Sequence, residues 1–397
     1  MNIKTAVPHS CGLLFYTHPM RRLRILFSIV PIAGIFLAFM AVLPAWAKPA
    51  PRTFVPATDP NITYVGRWGR LRTANGPAMA TVNSSSQIYL LCGGSSIRAD
   101  FDVRHVAFMA QIEARVDRGP WRLFTIDRHR LRLFHHLGPG PHRLEIAVKD
   151  VDERGNRWFP PFASAVVFEG LELDAHAAVE KYILPVRPTL MFLGDSITQG
   201  VRVVGMQIGV TGSNSLLSYG WLAGQALRTI HYQVAFGRQG VIRSGNGLVP
   251  PATLAFGWNF AGSPAGEPAP DFLVINQGTN DIPYPGREYG QALLGYLREI
   301  RAYWPHTEIF VLRPFGGFHA ASTMQAVELM HDARVIYVST HGWLKKKDFR
   351  DGVHPNRRGS RLAAAHLEKI LAPYIARWKP PAAKTSSPAA PATTAQP

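Results

Sequence analysis

Thr189-Leu190-Met191-Phe192-Leu193-Gly194-Asp195-Ser196-Ile197-Thr198 is the stretch on which the fold turns. Its opening run is apolar at successive positions, as in a strand buried on both faces, and glycine and polar residues end it abruptly. Downstream the same grammar repeats. Apolar runs at 232–236, 272–276, 309–312 and 335–338 alternate with helix-like stretches at 215–229 and 289–303, and the segment 357–378 closes the series. Strands apolar on both faces need cover on each side, so the spacing predicts a three-layer α/β domain with a parallel sheet over residues 186–378.

Upstream the period changes to two. Ile112-Glu113-Ala114-Arg115-Val116, Leu131-Arg132-Leu133 and Leu144-Glu145-Ile146-Ala147-Val148 alternate apolar and polar positions. Turn signals at Gly93-Gly94, Gly119-Pro120 and Gly138-Pro139-Gly140-Pro141 separate such segments, and no helix-length pattern intervenes. These features predict a jelly-roll-like β-sandwich over residues 48–185.

The chain ends carry their own signals. Met20-Arg21-Arg22-Leu23-Arg24 is a basic start, 25–43 is uncharged and apolar, and Ala45-Trp46-Ala47 is a small-residue cleavage pattern. Residues 1–47 therefore read as a signal peptide, or as an N-terminal membrane anchor given the length of the apolar run. Either places the domains outside the cytoplasm, secreted or periplasmic in the first case and membrane-attached in the second. Residues 379–397, rich in Pro, Ala, Thr and Ser, read as a disordered tail. Of the two cysteines, Cys11 and Cys92, only Cys92 outlasts cleavage, so no internal disulfide is expected and Cys92 reads as a buried small hydrophobe. The net charge of +17 comes from scattered arginines rather than one basic element, a soluble basic surface rather than a nucleic-acid site.

Ligands of a parallel α/β sheet sit beyond the carboxyl ends of its strands, so polar residues after each run are the candidates. They are Gly194-Asp195-Ser196-Ile197-Thr198, Gly237-Arg238-Gln239-Gly240, Gly278-Thr279-Asn280-Asp281 and, after the last run, Asp351-Gly352-Val353-His354-Pro355. Ser196, on a strand-to-helix turn, is the candidate nucleophile, and a serine hydroxyl needs an imidazole to take its proton. His354 is that base. Asp351, three residues earlier, is spaced to meet Nδ1 while Nε2 faces Ser196. The amides of Ser196 and Gly240 and the side chain of Asn280 are candidate oxyanion donors, with Gly237 the alternative to Gly240. Asp195 and Asp281 read as turn-fixing residues.

No cofactor motif is present, and none of the 15 histidines falls in an H-E-x-x-H or H-x-x-E-H pattern, so neither metal nor cofactor is expected. His135-His136 reads as part of a strand. The long Gly/Pro-rich insertion 245–270 carries Trp258, either packing the loop or offering a stacking surface for a sugar.

Taken in order, GDSIT, the glycine after the second run, GTND and D-x-x-H-P resemble the four sequence blocks of SGNH/GDSL hydrolases across roughly 189–378. The resemblance implies Ser196 as nucleophile, Gly240 and Asn280 as oxyanion donors, Asp351 as the orienting acid and His354 as base. Asn61-Ile62-Thr63-Tyr64-Val65-Gly66-Arg67-Trp68 and Gly140-Pro141-His142-Arg143-Leu144 further resemble the N-terminal domain of family-two carbohydrate esterases. Val148-Lys149-Asp150-Val151-Asp152 departs from that family's basic-acidic ending. Some members of the family support the histidine with a backbone carbonyl, which leaves the need for Asp351 open.

The function implied is an exported serine esterase that hydrolyses short acyl esters, O-acetyl groups above all, on a polysaccharide through an acyl-enzyme. An extracytoplasmic O-acetyltransferase, a lipid acyl hydrolase and a non-catalytic glycan-binding protein are the alternatives. The partner expected is an acetylated polysaccharide or oligosaccharide, with no nucleic acid.

Overall fold

A computed structural model describes residues 51–138 and 140–380. The segment 1–47, Cys11 and residues 381–397 of the tail lie outside the described residues. The described residues form one compact unit.

The alternating half of the sequence forms β1 (Thr53–Pro56), β2 (Thr63–Val65), β3 (Gly69–Thr73), β4 (Gly76–Thr81), β5 (Gln87–Cys92), β6 (Ile97–Phe101), β7 (Gln111–Val116), β8 (Arg122–Thr125), β9 (Arg130–Phe134), β10 (His142–Asp150), β11 (Val166–Leu173) and β12 (Val179–Glu180). Two sheets result. One runs β3-β4-β11-β6-β9 with β1 on β11, the other β12-β5-β10-β7-β8 with β2 on β5. The pairings are antiparallel, as between Leu144 and Leu90 or Phe168 and Phe101. Inward residues of the two sheets share one core, in which Phe101, Leu131, Phe168 and Leu171 meet Ile88, Leu90, Ile112 and Ile146. Cys92 is buried there, and burial pushes its thiol up to about 12. His135 and His136 lie beyond β9 instead of within it, and His136 turns the chain at φ 58°.

The second half continues with β13 (Thr189–Asp195), α1 (Ser196–Gln199), α2 (Tyr219–Ala226), β14 (Ile230–Phe236), α3 (Ala252–Ala255), β15 (Trp258–Phe260), β16 (Ser263–Pro264), β17 (Phe272–Asn276), α4 (Gly286–Tyr303), β18 (Glu308–Leu312), α5 (Ala320–Glu328), β19 (Val335–Val338) and α6 (Arg357–Arg377). β14-β13-β17-β18-β19 form a parallel sheet in that order. Alternate residues cover its two faces. Leu190, Phe192, Val274, Phe310 and Leu312 pack against Tyr219 and Ala223 of α2 and Ala363, Leu367 and Leu371 of α6. Met191, Leu193, Val234, Ile275 and Val311 face Tyr289, Leu293 and Leu297 of α4.

Two local differences from expectation have clear causes. The helix expected from 215 begins at Tyr219, because Asn214 and Ser218 each accept an amide two or three residues on and restart the turn. The insertion 245–270 is ordered into α3 and the β15-β16 pair.

The face carrying α4 is also covered by the sandwich. Val65, Ala78, Ala80, Val82, Trp158, Phe162 and Val167 join the same buried cluster as Met191, Tyr232 and Phe236. β4 thus buries both faces, Met79 toward the sandwich core and Ala78 and Ala80 toward the parallel sheet.

Candidate active site

Each of the first three strand ends supplies one wall. After β13 the chain turns into α1, and Asp195 Oδ1 accepts the Ile197 N–H at 2.8 Å, fixing the turn that places Ser196 first in the helix. The Ser196 amide, as an opening residue, has no intrahelical acceptor. Asp195 is fully buried, and burial pushes its carboxyl up to about 7.

Beyond the sheet's edge, the loop preceding α6 delivers the base. Ser196 Oγ lies 2.9 Å from His354 Nε2, and His354 Nδ1 lies 2.8 Å from Asp351 Oδ2. Asp351 Oδ1 accepts the His354 amide at 2.8 Å and the Val353 amide at 3.1 Å, so the same carboxylate folds the loop and orients the ring. Arg202, at φ 59° just after α1, also pairs with Asp351 Oδ2. Partial burial pushes the Asp351 carboxyl up, but the hydrogen bonds from His354, the charge of its ring and the Arg202 guanidinium outweigh this and hold it well below the usual carboxylate range.

Asn280 stands after β17 with Nδ2 3.0 Å from the Gln239 carbonyl and 3.3 Å from Asp195 Oδ2. Its side chain thus lies where the ends of β13, β14 and β17 meet. Asp281, expected to fix the Asn280 loop, instead reaches across to the turn after β14, accepting the amides of Val241, Ile242 and Arg243 at 2.7, 3.1 and 3.2 Å.

Gly240, expected as an oxyanion donor, lies in that turn. Its amide donates to the Arg243 carbonyl at 2.9 Å. A β-carbon there would stand 2.2 Å from Asp281 Oδ1, so the missing side chain makes room for the carboxylate. Gly237 is spoken for as well, since its amide donates to Gln199 Oε1 at 2.8 Å and a β-carbon would meet Glu153 Oε2 at 1.5 Å.

Three further contributors were invisible in the motif pattern. Arg202 is one. Gln199 is the second, joining Gly237 to Asp150 Oδ1 through a 2.8 Å donation from Nε2. Arg157 is the third, buried over the Phe236 ring at 4.9 Å, with its backbone amide on the Gly247 carbonyl at 3.0 Å. Burial pushes Asp150 up to about 7. Asp150, within the segment Val148–Asp152 whose sequence departs from the family pattern, thus braces the turn after β14 through Gln199.

The insertion is anchored similarly, with the Arg67 guanidinium, wholly buried, paired to Glu267 and donating to the Trp258 carbonyl at 2.8 Å. Trp258 is 41% exposed while Phe260 is buried, so Phe260 packs the loop and, of the two readings of the tryptophan, packing is the less favoured. Among the described residues no group of three or more His, Cys, Asp or Glu is placed to hold a metal ion, and no helix is long and apolar enough to cross a membrane.

Against known proteins, residues 192–362 match the GDSL-like lipase/acylhydrolase family. An acetylxylan esterase / glucomannan deacetylase of Cellvibrio japonicus (strain Ueda107) is 28% identical over 242 residues, 57% of this chain and 63% of that protein. The match therefore spans less than two thirds of the relative's length. In fold, the chain is similar to a family two carbohydrate esterase from Cellvibrio japonicus, with a TM-score of 0.68 and 21% identity over 82% of this chain and 98% of that one. The acetyl xylan esterase Est2A from Butyrivibrio proteoclasticus gives a TM-score of 0.65 at 16% identity, covering 82% and 99%.

Proposed function

We propose that this chain, which carries a GDSL-like lipase/acylhydrolase domain over residues 192–362, is a serine esterase that removes short acyl groups, O-acetyl above all, from a polysaccharide. The observation that carries this reading is the relay in which His354 bridges Ser196 Oγ at 2.9 Å and Asp351 at 2.8 Å. Ser196 Oγ attacks the ester carbonyl and its proton passes to His354 Nε2. Collapse of the tetrahedral oxyanion breaks the bond to the sugar oxygen, which leaves with that proton as a hydroxyl. Water, activated by the same imidazole, then cleaves the acyl-serine to free acid. Asp351 stays ionised, holding Nδ1–H toward itself and stabilising the imidazolium.

The polysaccharide reading draws on the printed activity of the Cellvibrio relative. We read the sandwich as jelly-roll-like and residues 1–47 as an export signal or anchor, from the basic start, apolar run and small-residue cleavage pattern. N-terminal sequencing of the native protein tests export: a start near Lys48 supports cleavage, whereas a full-length cytoplasmic chain defeats the reading.

The activity is tested by incubating the purified protein with acetylated xylan and glucomannan and measuring acetate, with lipid esters and a sugar hydroxyl acceptor run in parallel. Acetate release that Ser196→Ala abolishes is the expected result, and EDTA leaves it intact. Acyl transfer to the added hydroxyl at the expense of hydrolysis, or release from lipid esters alone, would replace the proposal with one of its rivals.

A further inference from the structure

A cavity of about 330 Å³ opens between the sandwich and the amino end of β14. Thr229, Ile230 and His231 form one side of it, and residues from the segment 182–187 after β12 form another. β14 runs seven residues from this end to Phe236, so one strand length, about 20 Å, separates the cavity from the catalytic end of the sheet. Four arginines line it, Arg115, Arg118, Arg143 and Arg187, against a single carboxylate, Glu145. Arg115 holds Glu145 Oε2 through Nε and Nη2 at 3.0 and 2.7 Å, and Arg143 pairs with Oε1. Arg118 and Arg187, both exposed, have no carboxylate partner among the described residues, and the buried Nε of Arg143 has no acceptor among them either. His231 adds no charge at neutral pH, because burial pushes it down to about 4. Four guanidiniums against one carboxylate leave the wall with a net charge of +3.

The arginines are held in place. Asp117 and Arg118, at φ 53° and 63°, are consecutive left-handed residues, a conformation that costs side-chain-bearing residues energy. The Asp117 carboxylate is already occupied by the Arg143 amide at 2.8 Å and His142 Nδ1 at 2.7 Å. Arg143 lies over the Tyr182 ring at 5.3 Å, Tyr182 stacks on Tyr89 with centroids 5.7 Å apart, and the Thr63 hydroxyl donates to the Tyr182 carbonyl at 2.9 Å. Gln87 Nε2 donates to the His231 carbonyl at 2.8 Å, which ties the sandwich side of the cavity to β14. Open guanidinium forks match the paired oxygens of a carboxylate or a phosphate. Size and lining decide between the two. The volume is that of a small-molecule site, and Tyr89, Tyr182, Leu184 and Ile230 give it carbon surface that a bare inorganic anion would leave against water. A sugar ring carrying a carboxylate satisfies both features. We infer that this cavity is a non-catalytic binding site for a uronate residue of a polysaccharide. That the ligand belongs to a polysaccharide rests on the esterase reading above; that it is anionic rests on the arginines alone.

Calorimetric titration of the full chain with an oligogalacturonate, a neutral xylo-oligosaccharide of equal length and inorganic phosphate tests the assignment. The expected result is saturable binding of the oligogalacturonate that weakens as salt is raised, with the other two binding at least about tenfold more weakly. Arg118→Ala/Arg187→Ala, which removes the two unpaired guanidiniums, should raise the oligogalacturonate Kd about tenfold or more and leave kcat on an aryl acetate unchanged. Arg298→Ala/Arg361→Ala removes the same charge from exposed positions of α4 and α6 and should change that Kd by less than about threefold. Equal effects of the two double variants would show attraction to the basic surface as a whole and overturn the inference. Phosphate binding as tight as that of the uronate, or no saturable binding, would overturn it too. The two readings fail separately: Ser196-dependent acetate release without uronate binding sinks this site alone, whereas uronate binding by a chain inactive on every ester sinks the esterase reading and supports the site.

Discussion

Nucleophile and base act as a unit, so Ser196→Ala and His354→Ala should each abolish turnover of an aryl acetate, and the double variant should lose no more than either alone. Asn280→Ala deletes one oxyanion donor and should cost about 10² to 10³ in kcat. Asp351 carries more than orientation, because its carboxylate also accepts two amides of its own loop. Asp351→Asn should thus approach a loss of ~10⁴, as removal of a triad acid does elsewhere. Arg202 offers a gentler probe. Its guanidinium helps depress the Asp351 pKa, and a depressed carboxylate contributes stability that is present above its unfolded value and lost as pH falls through the folded one. Without Arg202 the folded value rises, so Arg202→Ala should lose activity and melting temperature at a less acidic pH than the parent. Matching acid profiles for the two proteins would remove Arg202 from the relay. Ser196 and Asn280 were legible because each sits in a short motif at a strand end, and Asp351 and His354 because they share the D-x-x-H-P motif of the loop before α6. Arg202 and Gln199 were not, since their partners lie 149 and 49 residues away and only the folded chain brings them together.

The five parallel strands could be read from the sequence because burial on both faces writes a mostly apolar run, interrupted within 232–236 only by Gln233, and the structure lengthens 189–193 only to Thr189–Asp195. α5 escaped notice: Ala-Ala-Ser-Thr-Met-Gln-Ala-Val-Glu buries only Thr323, Ala326 and Val327, too few apolar positions to show a helical period. Less legible still was the brace from the end of β10, through Asp150 and Gln199, to Gly237. It links pH to stability. Burial raises the Asp150 pKa to about 7, above its ordinary ~3.9, so the folded chain binds that proton more tightly than the unfolded one. The stability this proton contributes is complete below ~3.9 and lost as pH rises through about 7. Asp150→Asn, which keeps a hydrogen-bonding group for Gln199, should therefore flatten the fall in melting temperature between about pH 4 and 7. Asp195, raised to about 7 by the same cause, should preserve part of the slope. An unchanged slope in Asp150→Asn would show that this carboxyl titrates as an ordinary surface acid. Gln199→Met tests the brace from its centre: it strands the Gly237 amide and Asp150, and each buried group left unpaired costs about 1–3 kcal/mol. Its melting temperature and kcat should fall together.

At the scale of the whole molecule, the boundary drawn at 185/186 from the change of period separates two kinds of secondary structure, but one buried cluster runs across it. The sequence carried a faint sign of this in Ala78, Ala80 and Val82, apolar on the face where a sandwich strand usually meets water. Five larger or branched sandwich-side residues, Val65, Val82, Trp158, Phe162 and Val167, are buried in the cluster that also holds Met191, Tyr232 and Phe236. At roughly 1.5–3 kcal/mol for each such side chain, uncovering that surface removes on the order of 10 kcal/mol, as much as the whole stability of an ordinary domain. The hydrolase part alone would also lose Asp150 from Gln199 and Arg67 from Glu267, leaving polar groups without partners beside the site. A chain of residues 186–380 should consequently fail to fold cooperatively, bind the dye ANS and show no Ser196-dependent aryl esterase activity, whereas residues 51–380 should unfold in a single transition monitored by circular dichroism. Mixing fragments 51–185 and 186–380 should restore part of the activity, because the missing cover returns with the sandwich. If 186–380 instead melts sharply and turns over substrate at the rate of the longer chain, the sandwich does not support the catalytic sheet, and the shared core contributes far less than its buried area implies.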